Sequence, residues 1–199
     1  MNKQCPFKSE MDRYWEKLSP LEKEYSFDEE GLYSLDVQNV FEQTVSSIVS
    51  NKIVDLFCGV GGASIMFAQQ NKSVIANDIN SKRLEMARNN ARLVGVSNKI
   101  KFLNKDAIEL FKHMENSALY LDLPWGGPNY INSKKFSMDD FMPNGSTLLK
   151  QALAQSSEVL MKLPRNFDFH ELKAFGDPTQ VIENKYDGKL QYFTVIYRK

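Results

Sequence analysis

The chain has 199 residues, and its 25 basic and 25 acidic side chains leave no formal net charge. This length suits one domain with a modest extension, and an apolar fraction of 42% is typical of a globular core. The neutral balance excludes a protein that coats nucleic acid through a surplus of lysine and arginine, while leaving room for local basic patches. The composition therefore favours a short RNA or nucleotide feature over long duplex as a partner.

Cysteine usage and hydropathy give no sign of secretion, of a metal site or of a membrane. Cys5 and Cys58 lie far apart, and no metal-ligand spacing joins them to His113 or His170. We expect both thiols to be reduced. The N-terminus has no apolar signal region, and no apolar run approaches the ~18 residues of a membrane span. These features predict a soluble intracellular protein without a metal or a membrane partner.

The first fifty residues differ in character from the rest of the chain. In YWEKLSPLEKEYSFDEEGLYSL, residues 14–35, aromatic residues alternate with charged ones. We interpret residues 1–50 as a short helical lobe that contributes to the substrate site. The lobe should pack on a main domain formed by residues 51–199.

From Lys52 onward, short apolar runs alternate with helical stretches. The clearest helix covers residues 81–94, where apolar side chains recur at helical spacing, Asn80 or Ser81 can cap the start and Gly95 can end it. The strand-like runs are residues 53–57, 73–77, 100–103, 118–123 and 158–163. Such alternation predicts βαβ units in a parallel sheet with helices on both faces.

The end of the chain breaks this rhythm. Two β-rich runs, residues 181–186 and 190–197, are separated only by Asp187, Gly188 and Lys189. Asp-Gly between two such runs is a strong hairpin signal. We therefore predict an α/β fold with a seven-stranded, mainly parallel sheet that finishes in an antiparallel hairpin.

A glycine-rich turn leads from the first strand into a helix in VDLFCGVGGASIMFA, residues 54–68. Gly59, Gly61 and Gly62 permit a tight turn and a close approach of a ligand to free N–H groups at the helix N-terminus. The loop lacks the G-x-x-x-x-G-K-[ST] phosphate cradle. In addition, Asp55 would repel a pyrophosphate.

Acidic residues follow three successive strands at the rim where open α/β sheets bind ligands. Asp55 follows the first strand, and Asp78 follows the second, where an acid can accept both ribose hydroxyls. Asp106 follows the third and can meet an adenine amino group. A ligand with a cationic end, a ribose and an adenine fits this set, which predicts S-adenosylmethionine as the cofactor.

The fourth strand ends in LYLDLPWGGPNY, residues 119–130. Asp122-Leu123-Pro124-Trp125 resembles the [D/N/S]-P-P-[Y/F/W] motif of methyltransferases that act on amino groups conjugated to a ring or carbonyl. Asp122 and the Leu123 carbonyl can accept the N–H hydrogens of such an amine, which is a poor nucleophile. Stacking on Trp125 contributes ~1–3 kcal/mol per base. A cation over indole adds ~0.5–2 kcal/mol, so a charged base such as 7-methylguanine gains from both.

Three segments together resemble the trimethylguanosine synthase family. They are DLFCGVGG (residues 55–62), PWGGP (residues 124–128) with Tyr130, and LPRN (residues 163–166). RYWEK and FDEEGLYS also look like the N-terminal lobe of that family, so the likeness covers nearly the whole chain. The family methylates the exocyclic N2 of the 7-methylguanosine cap of RNA and has a Rossmann-like class I methyltransferase core.

The resemblance implies roles for individual residues. Cofactor-binding residues would be Asp55, Phe57, Cys58, Gly59, Gly61, Asp78, Ile79, Asp106 and Ala107. Asp122, Pro124 and Trp125 would be catalytic, and the substrate would contact Trp125, Asn129, Tyr130, Arg165, Asn166 and Lys17. Arg165 would reach the cap phosphates, because its fork suits pairs of oxygens; Arg13 is a further phosphate candidate. A monomer, capped RNA as partner and residence in the nucleus, with the cytoplasm as a second location, are also implied.

The chain departs from the family pattern at two places. The family usually has Ser-Pro-Pro-Trp, whereas Asp122 and Leu123 stand here for the serine and the first proline. We expect the leucine to loosen the loop and Asp122 to add negative charge beside a cationic cap. Ala107 stands where a bulkier apolar residue often covers the adenine, which predicts a lower cofactor affinity.

Two other functions stay open at this stage. An N2-guanine or N6-adenine methyltransferase acting on internal RNA or DNA positions would have to splay out its target base. The neutral net charge counts against the large footprint that this requires. A cap-binding module without transfer activity would keep Trp125, but it would not need Asp55, Asp78 and Asp106.

Overall fold

Seven strands form one sheet at the centre of the protein. In the computed structural model, the described residues are 17–111, 114, 116–126 and 134–199. The strands are β1 (Lys52–Asp55), β2 (Ser73–Asn77), β3 (Ile100–Leu103), β4 (Ala118–Leu121), β5 (Glu158–Pro164), β6 (Gln180–Tyr186) and β7 (Lys189–Arg198). Their order across the sheet is β3-β2-β1-β4-β5-β7-β6.

Strands β1 to β5 pair in parallel, and β7 pairs antiparallel with both β5 and β6. The β6–β7 turn has positive φ at Asp187 (48°) and Gly188 (72°), the backbone that a two-residue hairpin turn requires. The expected α/β fold, a mainly parallel seven-stranded sheet with a C-terminal antiparallel hairpin, is confirmed. β1 and β4 end two residues earlier than expected, because the chain leaves the sheet there to form the ligand-side loops.

The α-helices of the described residues lie in the connections between strands and in the N-terminal segment. They are α1 (Glu29–Ser34), α2 (Gln38–Ser46), α3 (Gly62–Gln69), α4 (Ser81–Leu93), α5 (Ala107–Leu110) and α6 (Gly145–Gln155). Asn80 caps α4 by accepting hydrogen bonds from the N–H groups of Lys82 and Arg83, as its sequence predicts. Every described helix falls short of the length and hydropathy of a membrane span.

Helices cover both faces of the sheet. On one face, α1, α2 and α3 pack on the side chains of Ile53, Tyr120 and Ile196. On the other face, α6 and the segment before it pack on Val54, Leu119 and their neighbours. Alternate residues of each strand point to opposite faces, so both apolar clusters are built from the same buried strands.

The described part of the N-terminal segment, residues 17–50, shares a core with the sheet. Phe41 of α2 is fully buried, and its ring centroid lies 5.6 Å from that of Phe67 in α3 and 5.4 Å from that of Tyr120 in β4. The helical character expected for this segment is therefore present. The division into a lobe (residues 1–50) and a domain (residues 51–199) stays a prediction.

Candidate active site at the carboxyl ends of the strands

A cavity of about 1420 Å³ opens at the carboxyl ends of the parallel strands. The loops after β1 to β5, the segment from α1 to α2 and the β6–β7 hairpin all contribute to its wall. Most of the residues expected from the sequence line it, namely Lys17, Asp55, Phe57, Cys58, Gly59, Asp78, Ile79, Asp106, Ala107, Asp122, Pro124, Trp125 and Arg165. The topology thus gathers side chains from Lys17 to Tyr192, nearly the two ends of the described chain, around one space.

Some expected site residues are not brought to this cavity. Gly61 (φ 95°) instead lies against α4, where an added Cβ would stand 3.0 Å from the Cβ of Ala87. Asn166 lies outside the cavity wall, and its backbone carbonyl accepts a hydrogen bond from the N–H of Phe136 (3.0 Å). Asn129 and Tyr130, together with Cys5, Arg13 and His113, lie outside the described residues.

Asp78 joins the loop after β2 to the glycine turn after β1. Its two carboxylate oxygens accept hydrogen bonds from the backbone N–H groups of Gly59 (2.8 Å) and Asn80 (2.8 Å). Gly59 has a φ of 52°, in the left-handed region that glycine adopts at little cost in a tight turn. Burial raises the pKa of Asp78, although these N–H groups oppose the shift. A carboxylate has about four lone-pair sites, so Asp78 can accept ligand hydroxyls as well.

Asp55 is a buried carboxylate on the cavity wall, only 1% exposed. The Ser64 hydroxyl donates to its Oδ2 (2.6 Å), whereas its Oδ1 has no hydrogen-bond partner among the described residues. Burial raises the pKa of Asp55 to about 8. An unpaired buried acceptor favours a ligand that brings a donor or a positive charge to it.

Asp106 and Ile79 complete the wall after β2 and β3. Asp106 is exposed and caps α5 by accepting a hydrogen bond from the N–H of Ile108 (2.9 Å). Ile79 is 73% exposed and therefore offers an apolar surface to a ligand. The thiol of Cys58 is free and buried, and burial raises its pKa well above the usual range. No cluster of His, Cys, Asp and Glu with the makings of a metal site occurs in the described ranges.

Trp125 is partly buried at the end of the loop after β4. Its indole ring lies edge-on to the ring of Tyr192, with centroids 6.4 Å apart. The ammonium nitrogen of Lys162 lies 5.6 Å from the Trp125 ring centroid and 4.6 Å from that of Tyr192. Leu123 is fully buried, so its side chain anchors the loop. This burial opposes the loosening expected from a leucine in place of the usual proline.

A buried charge cluster, formed by Asp36, Asp122 and Lys162, lies beneath Trp125. The Lys162 ammonium is 2.7 Å from Asp36 Oδ1 and 2.8 Å from Asp122 Oδ2. The Tyr120 hydroxyl donates to Asp36 Oδ2 (2.9 Å). Sequence reasoning identified only Asp122. The missed signal was a lysine in the apolar run EVLMKLP, because a lysine in a buried strand requires a charged partner.

The cluster is tuned by burial and by its own charges. Burial raises the pKa of Asp122 to about 7, although the adjacent Lys162 ammonium and a hydrogen bond from the Trp125 side chain oppose this rise. Burial alone would lower the pKa of Lys162, but the charges of Asp122 and Asp36 raise it above its ordinary value. Lys162 is therefore an ammonium, and the cluster gains an excess of negative charge as Asp122 ionises around its pKa of about 7.

Basic side chains stand at other points of the cavity wall. Arg165 is exposed just after β5, and Lys189 lies on the β6–β7 hairpin. The Lys17 ammonium donates to the side-chain carbonyl of Gln191 in β7 (2.7 Å), which ties the N-terminal segment to the hairpin. These cations suit the recognition of phosphate oxygens.

Comparison with known proteins agrees with this arrangement. Residues 50–197 match the model of a family described as RNA cap guanine-N2 methyltransferase. The trimethylguanosine synthase of Schizosaccharomyces pombe is 30% identical over 186 residues, covering 86% of this chain and 77% of that protein. The trimethylguanosine synthase of Saccharomyces cerevisiae is 32% identical over 133 residues. That match covers 62% of this chain and 41% of the yeast protein, so this chain spans less than half of it.

Solved structures share the fold at low sequence identity. A candidate methyltransferase of Porphyromonas gingivalis W83 superimposes with a TM-score of 0.73 at 18% identity, covering 94% of this chain and 47% of that one. An RNA methyltransferase of Salinibacter ruber, solved with S-adenosyl-L-homocysteine, gives a TM-score of 0.52 at 17% identity, covering 82% and 92%.

The sheet order, the glycine turn and the acids around one rim cavity are those of a class I methyltransferase that uses S-adenosylmethionine. Both the expected enzyme class and the expected cofactor are confirmed. Within that class, the chain belongs to the RNA cap guanine-N2 methyltransferase family. The family resemblance stated from the sequence is thereby confirmed as well.

Proposed function

We propose that this protein methylates the exocyclic N2 of the 7-methylguanosine cap of RNA. The observation that carries the proposal is the indole of Trp125 beside a buried cluster with excess negative charge, at the cavity end of β4. A ring that is both planar and cationic gains from stacking on the indole and from the nearby carboxylates. Neutral guanine gains from the stacking alone.

The cofactor half of the cavity fits S-adenosylmethionine through its donor and acceptor set. Asp55 presents an unpaired, buried oxygen that suits the cationic amino group. Asp78 suits the ribose hydroxyls, and Asp106 suits the adenine amino group beside the apolar surface of Ile79. When bound, the cofactor supplies an electrophilic methyl group on a sulfonium. The chain itself supplies orientation and electrostatics rather than a covalent step.

The substrate half positions the amine. Trp125 fixes the plane of the base, while Asp122 and the backbone carbonyl of Leu123 accept the N–H hydrogens of the exocyclic nitrogen. That nitrogen loses a proton as its new bond to carbon forms, and an ionised Asp122 is an acceptor suited to take part. Arg165 and Lys17 suit the cap phosphates, and Lys189 joins them as a candidate that the fold adds. Asn129 and Tyr130 stay candidates on the family resemblance alone.

The N-terminal segment and the cellular setting belong to the same proposal. Residues 17–50 contribute to the substrate site, which is supported by Lys17, Tyr33 and Asp36 on the cavity wall. The substrates are capped small RNAs of the snRNA or snoRNA type, met in the nucleus, and the relatives that are trimethylguanosine synthases support this.

Mass spectrometry of cap analogues tests the proposal. The protein is incubated with S-adenosylmethionine and either 7-methylguanosine triphosphate or GTP. We expect one or two methyl groups on the first nucleotide and little on the second. Equal methyl transfer to both nucleotides would contradict a role for the positive charge of the 7-methylguanine ring. Transfer to uncapped RNA, with none to the cap analogue, would favour an internal N2-guanine or N6-adenine target instead.

Substitution of the stacking residue tests the same site. Trp125→Ala should raise the KM for the cap analogue roughly 5- to 150-fold, the equivalent of the ~1–3 kcal/mol that stacking contributes. Trp125→Phe is the matched control and should retain most of the affinity, because it keeps an aromatic plane. Cofactor affinity, measured by calorimetry, should be unchanged in both variants. A KM for the cap that is unchanged in Trp125→Ala would contradict the stacking role.

A further inference from the structure

The buried charge cluster draws its three members from separate elements. Asp36 comes from the loop between α1 and α2, Asp122 from the loop after β4, and Lys162 from the middle of β5. The side chains of Asp36 and Lys162 are 2% and 5% exposed, whereas that of Asp122 is 12% exposed. All three lie on the wall of the cavity. Asp122 is therefore the member most accessible to a ligand.

The deep side of this cluster is fixed by the hydrophobic core. Tyr120 is fully buried, and its ring centroid lies 5.4 Å from those of both Phe41 and Phe67. This packing sets the direction of its hydroxyl, which donates to Asp36 Oδ2. Asp36 Oδ1 accepts from Lys162, so both oxygens of this carboxylate are engaged. The ammonium is in turn held at a fixed place in β5.

Among the candidate catalytic residues, the ammonium is hydrogen-bonded to Asp122 and also lies 5.6 Å from the ring centroid of Trp125. It donates to Asp122 Oδ2 (2.8 Å) and so restrains the carboxylate next to Trp125. Burying an ammonium costs several kcal/mol unless carboxylates surround it. A single carboxylate would suffice for neutrality, yet here there are two. The surplus negative charge is therefore set by three residues together and not by Asp122 alone.

We propose that Lys162 is a positioning residue for methyl transfer, held by Asp36 and Tyr120 so that it keeps Asp122 oriented and ionised at the amine site. The inference rests on the proposed function, because it assigns Asp122 to the acceptor amine. It adds that the site works as a unit of four residues, of which only Asp122 contacts the substrate.

The charges around Asp122 predict how its ionisation responds to change. Lys162 favours the carboxylate form, whereas burial and the charge of Asp36 disfavour it. The remaining titratable neighbours are Asp55 of β1, Tyr120 of β4 and Tyr192 of β7, each of which interacts with Asp122. Removal of the ammonium should raise the pKa of Asp122 further above its present value of about 7. Removal of the Asp36 charge should lower it.

Two variants with opposite expected effects test the inference. Lys162→Met should lower kcat at pH 7 by roughly 10- to 100-fold and move the pH profile of kcat to higher pH by about 1 to 3 units, the usual effect of a neighbouring charge. Asp36→Asn should move the profile to lower pH. Lys162→Arg should restore part of the rate, and Lys101→Met, at an exposed lysine of β3, is the matched control.

Titration of ¹³C-labelled aspartate carboxyls, with Asp122 assigned through Asp122→Asn, measures the same shifts without any acceptor. If the wild type fails to methylate the cap analogue, the proposed function fails, while these titrations still decide on the cluster. If Lys162→Met fails to fold, as judged by circular dichroism, the shift in Asp36→Asn decides. Shifts of opposite sign in the two variants support the inference. If Lys162→Met does not fold, a shift to lower pH in Asp36→Asn supports it. An unmoved profile and titration, or shifts of the same sign, would overturn it.

Discussion

Asp55 illustrates how a single residue can trade stability for binding. Its carboxyl group is almost completely buried and has one oxygen without a partner in the described chain. Such a group weakens the unliganded fold when it is ionised, because the charge is removed from water without full compensation. The same charge becomes useful once a cationic ligand enters the cavity. We infer that the unfavourable burial of the Asp55 charge in the unliganded protein is relieved when the cationic cofactor binds.

The pH dependence of stability should reveal the cost of burying the Asp55 charge. The pKa of Asp55 is raised to about 8 in the folded protein, so the folded state binds its proton more tightly than the unfolded state does. Stability from this group is therefore complete below the unfolded pKa near 4 and is lost as pH rises towards 8. Measured by urea denaturation, the free energy of unfolding of the wild type should fall by about 2–5 kcal/mol between pH 5 and 8.

Asp55→Asn should lose less over the same interval, because the amide does not ionise. Asp122 adds a component of the same sign in both proteins, since burial raises its pKa to about 7. Glu85→Gln, at an exposed position of α4, is the matched control and should follow the wild type. If the free energy of unfolding fell equally with pH in the wild type and in Asp55→Asn, the raised pKa of Asp55 would be contradicted.

Gly62, the first residue of α3, is required by close packing. A Cβ at this position would stand 2.6 Å from a methyl carbon of Leu35 and 2.8 Å from the carbonyl oxygen of Asp36. Gly62→Ala should therefore destabilise the protein by about 1–3 kcal/mol, despite the better helix propensity of alanine. Urea denaturation measures the change. Gln69→Ala, at an exposed position of the same helix, should be close to neutral, and equal stability of the two variants would contradict the clash.

At the scale of the elements, α4 joins the N-terminal segment to the glycine turn. Asn90 of this helix is 1% exposed. Its side-chain N–H groups donate to the carbonyls of Ser26 (2.9 Å) and Val60 (2.9 Å), and its oxygen accepts from the N–H of Ser26 (2.7 Å). One amide thus satisfies three backbone groups that have no place in a helix or strand ladder. The amide thereby holds Ser26 of the N-terminal segment close to Val60, which lines the cavity.

Removal of this amide should loosen the segment before it loosens the sheet. Asn90→Ala leaves buried backbone groups unsatisfied, at a cost of about 2–3 kcal/mol. Hydrogen exchange should become faster in residues 17–46 while β1, β4 and β5 stay protected. The neighbouring Asn89→Ala, on the exposed face of α4, should leave exchange unchanged. A uniform acceleration throughout the sheet would argue against a local connection.

The elements differ in how far the sequence predicts them. The strands, α4 and the Asp187-Gly188 hairpin follow from local patterns of hydropathy, capping and turn residues, and they lie within two residues of the expected places. The buried charge cluster does not follow from such patterns, because its partners at positions 36, 122 and 162 meet only in the folded chain. The packing of Gly61 on Ala87 of α4 does not follow from local patterns either, because the two residues are distant in sequence. A role of Gly61 in cofactor binding stays a prediction.

For the whole molecule, the shared core makes the N-terminal segment part of the fold rather than an appendage. Phe41 contacts the rings of Phe67 and Tyr120, and Tyr120 in turn donates to Asp36 in the charge cluster. Packing of α2 on the sheet and the geometry beneath Trp125 therefore depend on the same side chains. A substitution at Phe41 should therefore affect both stability and catalysis, although Phe41 does not line the cavity.

Unfolding experiments can test whether the segment and the sheet form one cooperative unit. Because they share a buried cluster, we expect a single transition, with equal urea midpoints for far-ultraviolet circular dichroism and tryptophan fluorescence. Phe41→Ala should lower the free energy of unfolding by about 3–5 kcal/mol and keep the two midpoints equal. Val49→Ala, at a 73% exposed position just before β1, is the control and should change little. Separate midpoints in the wild type would show instead that the segment unfolds by itself, and the core that joins it to the catalytic sheet would then contribute little to its stability.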